Sequence, residues 1–153
     1  LLTHVISEKL KDLAPDLTQV PPRSPRETLA GYIIAPRILD KCRAELTGTL
    51  GEYWFNKFMD RLFFDFTGID AQAFQAFVAT GATDEEVAEW IGQQAQPRET
   101  VEIVKWNNQL RYATLQDLPE DIQLFLDGFV VKLPTHRPVY HVFDIFDLDE
   151  GRL

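Results

Sequence analysis

One cysteine, one methionine, two serines and three histidines are all that this 153-residue chain holds of several residue types that often bind metals or act as nucleophiles. With Cys42 as the only thiol, no internal disulfide can form and nothing points to secretion. Its neighbours Leu39 and Leu46 make it read as a buried thiol packing like a small apolar side chain. His4, His136 and His141 fall into no HExxH, CxxC or Cys/His framework, so no metal is expected. His141 and Asp144 could meet three apart on a helix, but two ligands do not make a site. Ser24 reads as a helix cap, and there is no G-x-S-x-G elbow for a serine nucleophile. The glycine patterns that cradle phosphates or dinucleotides are missing too, and no cofactor is expected.

Positive charge is also scarce. Fifteen Lys and Arg face 24 Asp and Glu, for a net charge of −9. Such a surface repels a phosphate backbone, and no basic recognition helix is evident, so nucleic acid is not an expected partner. No apolar run approaches the length of a bilayer span. The opening Leu-Leu-Thr-His-Val-Ile is too short for a signal peptide and lacks its flanks. The expectation is a soluble, cytoplasmic protein without a membrane role.

What the chain has in quantity is apolar and aromatic bulk: 45% hydrophobic residues, including eleven Phe, four Tyr and three Trp. That suffices for a core in one domain over 1–153, with residues 1–22 as an extended N-terminal arm carrying a short helix. Ser24-Pro25 with Glu27 spells a capping box with proline at the first helical position, predicting a helix from Pro25 to Ala35. Pro36 then either kinks that helix or opens a second one, whose apolar stripe is 35, 38, 39, 42 and 46. Gly48 and Gly51 end it. The aromatic run Trp54–Phe66 fits a helix closed by Gly68.

Asp70 caps a helix over Ala71–Ala79, and Thr83 with Glu86 forms another capping box, for a helix stopping before Pro97. Residues 98–112 read as a helix with Val101, Val104 and Trp106 inward. Pro119 opens another through Leu126, ended by Gly128. Phe129–Leu133 reads as a short strand or link. After Pro138, Val139, Val142, Phe143 and Phe146 repeat the helical pattern. The fold class is all-α, with six to eight helices.

On the helix after Pro36, Arg37, Asp40 and Lys41 lie opposite the apolar stripe. Arg37 and Lys41, four apart, could hold a carboxylate or phosphate with Asp40 orienting them; the bland alternative is a solvated face of weak ion pairs. Glu52 and Tyr53, after the two glycines, offer acid–base groups. Asn107 and Asn108, poor helix formers beside Trp106, either bond something specific or make a polar face. The carboxylates Asp144, Asp147, Asp149 and Glu150 lack a calcium-loop pattern and read as an acidic, solvated end.

Several of these segments together resemble a known family. Pro22–Glu27, Gly31-Tyr32, Pro36–Ala44, Gly48–Tyr53, Phe66–Asp70 and Phe146–Arg152 are similar to domain-of-unknown-function family 5069, over nearly the whole chain from about Asp16. Cys42 stands where the resemblance leads one to expect a small residue, which fits a packing position. The resemblance implies a compact bacterial cytoplasmic domain and brings no activity with it. It draws attention to Arg37, Asp40, Lys41, Glu52 and Tyr53 as the polar members of the shared segments.

Three functions remain open. The first is binding of a small anionic or polar ligand by Arg37, Asp40, Lys41, Glu52 and Tyr53. The second is an interaction module, with Trp54–Phe66 building a homo-oligomer or partner surface. The third is an enzyme using Asp40, Glu52 or Tyr53 as acid–base groups.

Overall fold

The computed structural model describes residues 7–133 and 139–153. The opening Leu1–Ile6 segment with His4, and the expectations placed on His136 and Pro138, lie outside that range. Among the described residues there are eight α-helices and one two-stranded hairpin. In chain order these are α1 (Glu8–Leu13), β1 (Thr28–Leu29), β2 (Tyr32–Ile33), α2 (Ala35–Thr47), α3 (Met59–Thr67), α4 (Ala71–Val78), α5 (Asp84–Gln94), α6 (Thr100–Arg111), α7 (Glu120–Val130) and α8 (Val142–Asp149). The mostly helical class agrees with the sequence reading. None of these helices is long and apolar enough to cross a membrane.

From Ser7 onward the N-terminal arm is fastened. Ser7 caps α1 by accepting from the Leu10 N–H, and Leu10 is buried. Farther on, the Leu17 N–H donates to the Thr49 carbonyl at 2.9 Å, and the Thr49 hydroxyl to the Pro15 carbonyl at 3.0 Å.

The helix expected from Pro25 to Ala35 is instead a tight turn and a hairpin. One arm of the capping box forms, Ser24 N–H to Glu27 Oε2 at 3.3 Å, but Ser24 Oγ accepts from the Arg26 N–H at 3.2 Å, while the Glu27 N–H bonds the Ser24 carbonyl at 3.1 Å. They close a turn, because the residues that follow prefer extended backbone. Thr28 pairs with Ile33 and Leu29 with Tyr32, and Ala30 and Gly31 both take positive φ (54° and 84°), as a two-residue hairpin turn of the primed type requires. The capping box is a local signal, and β-branched and aromatic side chains beside an Ala-Gly turn outweigh it.

Pro36 lies in the first turn of α2, where its missing N–H costs nothing, so a helix begins there instead of kinking. Gly48 stops α2 in the left-handed conformation, and Gly68 does the same for α3. Asp70 and the Thr83–Glu86 box cap α4 and α5 as the sequence indicates.

Three other expectations shift. The aromatic run is helical only from Met59, since Asn56 and Phe58 both take positive φ. Gly128 lies inside α7, which continues to Val130 and absorbs most of the anticipated strand or link; a glycine ends a helix only when it turns left-handed, and this one does not. On α6, Val101 and Val104 are exposed, and Ile103, Trp106, Asn107 and Leu110 face inward. The inward set keeps the i, i+3, i+4, i+7 spacing in a different phase.

Phe63, Phe74 and Phe143 are the largest fully buried side chains. Around them Tyr32 meets Phe63 and Trp106 edge-on, Phe66 stacks on Trp106 at 4.7 Å, and Phe77 stacks on Trp90 at 5.3 Å. Apolar contact and ring geometry both favour such an aromatic lattice.

Candidate functional site

Helix α2 passes through the middle of the molecule and is buried from Ala35 to Ala44, charged residues included. A solvated charged face is therefore ruled out for this helix. Each residue turns the helix by about 100°, so Arg37 and Lys41 point one way and Asp40 and Arg43 another.

The Arg37–Lys41 side opens onto a cavity of about 110 Å³. Its walls are aromatic: Trp54 and Phe58 from the loop before α3, Phe125 and Phe129 from α7, Phe143 and Phe146 from α8. Its polar lining comprises Arg37 and Lys41, Asp60 from the first turn of α3, Tyr53, and Glu150 where α8 ends, with Glu52, Lys57 and Asp149 completing it.

Two ion pairs hold the polar side together. Arg37 grips Glu150 with both terminal nitrogens, at 2.8 and 2.6 Å, and its guanidinium lies 4.8 Å from the Phe146 ring centre. Glu150 also accepts from the Tyr53 hydroxyl at 3.2 Å and from Arg152 at 2.7 Å. Lys41 Nζ donates to Asp60 Oδ1 at 2.6 Å, with Asp60 1% exposed. The other Asp60 oxygen accepts the Asn56 N–H at 2.9 Å and so ties the Trp54–Phe58 loop to the lysine.

Burial lowers the Lys41 pKa from its usual value, and the nearby Arg37 charge acts in the same sense; Asp60 opposes them without cancelling the shift. Burial raises the Tyr53 pKa, helped by the Glu150 charge beside it. Asp149 is likewise raised, by burial first and then by Glu150.

Two non-glycine residues of the cavity lining, Ile34 and Phe58, hold positive φ (63° and 56°). For a β-branched and a bulky side chain these are costly conformations, of the kind that gathers at functional sites.

Four of the five residues singled out in the sequence line this cavity: Arg37, Lys41, Glu52 and Tyr53. Asp40 does not. It orients Arg23 rather than Arg37 or Lys41, through bonds of 3.1 and 3.0 Å to its guanidinium and 2.9 Å to its backbone N–H. Arg23 reaches on to Asp84, and Arg43 bonds Asp84 at 2.8 Å and the Ala82 carbonyl at 2.9 Å. This second cluster fastens α2 to the start of α5.

A family model described as "Domain of unknown function (DUF5069)" matches residues 19–152. The chain belongs to the DUF5069 family. No curated protein matches it.

In this DUF5069 chain the two carboxylates that pair with Arg37 and Lys41, Glu150 and Asp60, are not among the candidate site residues of the sequence. Glu150 belongs to a carboxylate group that reads as solvated, yet its side chain is 3% exposed, and Asp147 is similarly buried between Arg26 and Arg152. The net charge of −9 conceals these pairings, because it says nothing of where the cations fold. Asp60 sits in an aromatic run, and a carboxylate among Phe and Met was the available signal. Of the aromatic side chains in Trp54–Phe66, only Trp54 is exposed; the rest are buried or half-buried. Asn107 also has a structural task, bridging α6 to the hairpin by accepting the Ile33 N–H at 3.0 Å and donating to the Gly31 carbonyl at 2.8 Å. Among the described residues no cluster of three or more His, Cys, Asp or Glu is arranged to hold a metal ion.

Proposed function

We propose that this domain binds a small polar molecule with an apolar body, seated in the aromatic cavity with its polar end toward Lys41 and Arg37. The supporting observation is the convergence of seven aromatic rings and two buried ion pairs on one concave space. Ligand sites are typically mostly apolar, with a few placed polar groups. The space is of the same order as the roughly 150 Å³ apolar cavity that takes up benzene in another protein.

The charge balance narrows the ligand. Arg37, Lys41 and Lys57 face Glu52, Asp60, Asp149 and Glu150 among the described lining residues, three cations against four carboxylates. Arg37 and Lys41 already hold carboxylates, so a strongly anionic ligand would have to displace one of them. A neutral hydrogen-bonding group fits better. Lys41 has three N–H donors and uses one on Asp60, which leaves donors for a ligand oxygen. The interaction-module reading is weaker, because most of the aromatic run it needs is packed inside.

The chain's single methionine, Met59, lines the cavity and supplies a private reporter. With a ¹³C-methyl label, small alcohols, amides and carboxylates can be titrated against one signal. Saturable shifts at Met59, with neutral compounds ahead of anions, are expected. If no compound moves Met59, or if its shifts do not saturate, the domain is not a receptor at this cavity.

A further inference from the structure

Resting on that reading of the cavity, we infer that Lys41 captures the carbonyl carbon of a small aldehyde or ketone as a protonated imine, with Asp60 as proton carrier and counter-ion.

The geometry carries this. Lys41 lines the cavity and is buried; Lys57 also lines it but is exposed, as are the lysines outside it at 9, 11, 105 and 132. Its Nζ lies 2.6 Å from Asp60 Oδ1, while the Asn56 N–H fixes the opposite oxygen. The carboxylate is therefore held in place without depending on the lysine. Aromatic walls limit water around the nitrogen, which favours the imine over its hydrolysis.

The step balances without any further reactant. Lys41 passes a proton to Asp60, and the free amine attacks the carbonyl carbon. The nitrogen–carbon bond forms as the carbonyl π electrons move to oxygen, which takes a proton by way of Asp60. The carbon–oxygen bond then breaks, and the oxygen leaves as water with a second proton from nitrogen. The ammonium with its three protons becomes an iminium with one, and water carries the other two. The positive charge beside Asp60 is the same before and after, so the buried pair survives the reaction. Separately, the lowered Lys41 pKa makes the free amine easier to reach, as for other nucleophilic lysines in desolvated sites.

The test uses benzaldehyde with sodium cyanoborohydride on the whole chain, followed by peptide mapping of every lysine. Benzyl alcohol, which has the same body without the carbonyl, is the matched binder, read at the Met59 methyl. Lys41 should be benzylated about tenfold faster than any exposed lysine. Benzyl alcohol should slow Lys41 and leave the lysines outside the cavity, at 9, 11, 105 and 132, unchanged. Lys41→Arg keeps a cation for Asp60, and in that variant the dominant adduct should vanish. The mapping itself needs no variant, so the result does not depend on how Lys41→Arg folds. If benzyl alcohol moves Met59 but label spreads over the exposed lysines and spares Lys41, the imine inference is wrong and the cavity reading stands. If Met59 does not respond and Lys41 stays unlabelled, both fall.

Discussion

Arg37 and Glu150, 113 residues apart in the chain, form a two-pronged ion pair whose side chains are only 8% and 3% exposed. The pair joins α2 to the end of α8 and encloses one side of the cavity. Removing one member strands the other in a medium that cannot solvate it. Glu150→Ala should cost about 3–5 kcal/mol in urea unfolding. The double variant Arg37→Met, Glu150→Leu should recover most of that, since an apolar pair of similar volume leaves no buried charge. A double-variant loss equal to the sum of the separate Arg37→Met and Glu150→Leu losses would show that the pair is not coupled.

Asn107 should matter for the hairpin rather than for a ligand. Asn107→Ala leaves the buried Ile33 N–H and the Gly31 carbonyl without their partner. A loss of about 1–3 kcal/mol is expected. Hydrogen exchange at the Ile33 amide should quicken more than at the core of α5. A change in ligand response at Met59 without loss of stability would contradict this role.

Gly48 and Gly51 look alike in the sequence and should not behave alike. Both have positive φ, but a Cβ at Gly48 meets nothing within 4 Å, whereas one at Gly51 falls 2.9 Å from the Leu17 carbonyl oxygen. Gly48→Ala carries only the left-handed penalty, about 1 kcal/mol. Gly51→Ala adds a clash with backbone that cannot rotate away, and should be the more destabilising by urea titration. It should also loosen the N-terminal arm, seen as faster exchange at the Leu17 amide.

Tyr53 gives the protein an alkaline signature. Its folded pKa lies above the unfolded value of 10.0, so the stability it contributes is complete below about pH 10 and is lost as pH rises toward the folded value. Lys41 acts in the opposite sense: its folded pKa is depressed, so stability is gained as pH climbs from that value toward 10.5. Tyr53→Phe should lower stability modestly at pH 8 through loss of the Glu150 bond, and should fall less steeply than wild type above pH 10. Parallel curves for the two proteins would remove Tyr53 as the source.

Cys42 should be inert in the native protein. It is fully buried, and burial pushes its thiol pKa well above 9.0. A thiol reagent such as Ellman's should react only at the rate of global opening, and urea should release the full reactivity. Fast labelling in native buffer would place Cys42 outside the core.

Local signals in the sequence were trustworthy wherever the structure they specify is itself local. Asp70, the Thr83–Glu86 box and the left-handed Gly48 and Gly68 bound their helices as expected, because capping bonds and φ preferences act within a few residues. The same logic failed at Ser24, where the local bonds close a turn and the next residues pair as strands. It failed again on α6, where both Val101 and Ile103 belong to apolar patterns and only the neighbouring hairpin decides which face is covered.

The amino-acid sequence alone determined that the domain is mostly helical, carries the segments that resemble the DUF5069 family, and keeps Arg37 and Lys41 on one side of a helix. The partners of those two cations came only from the tertiary structure. Glu150 and Asp60 reach them from other helices, and Asp40, four residues or fewer from both, turns away to Arg23. Helical spacing tells which side chains share a face. Which carboxylate a buried cation meets depends on how separate helices pack, and desolvation makes that choice energetically decisive.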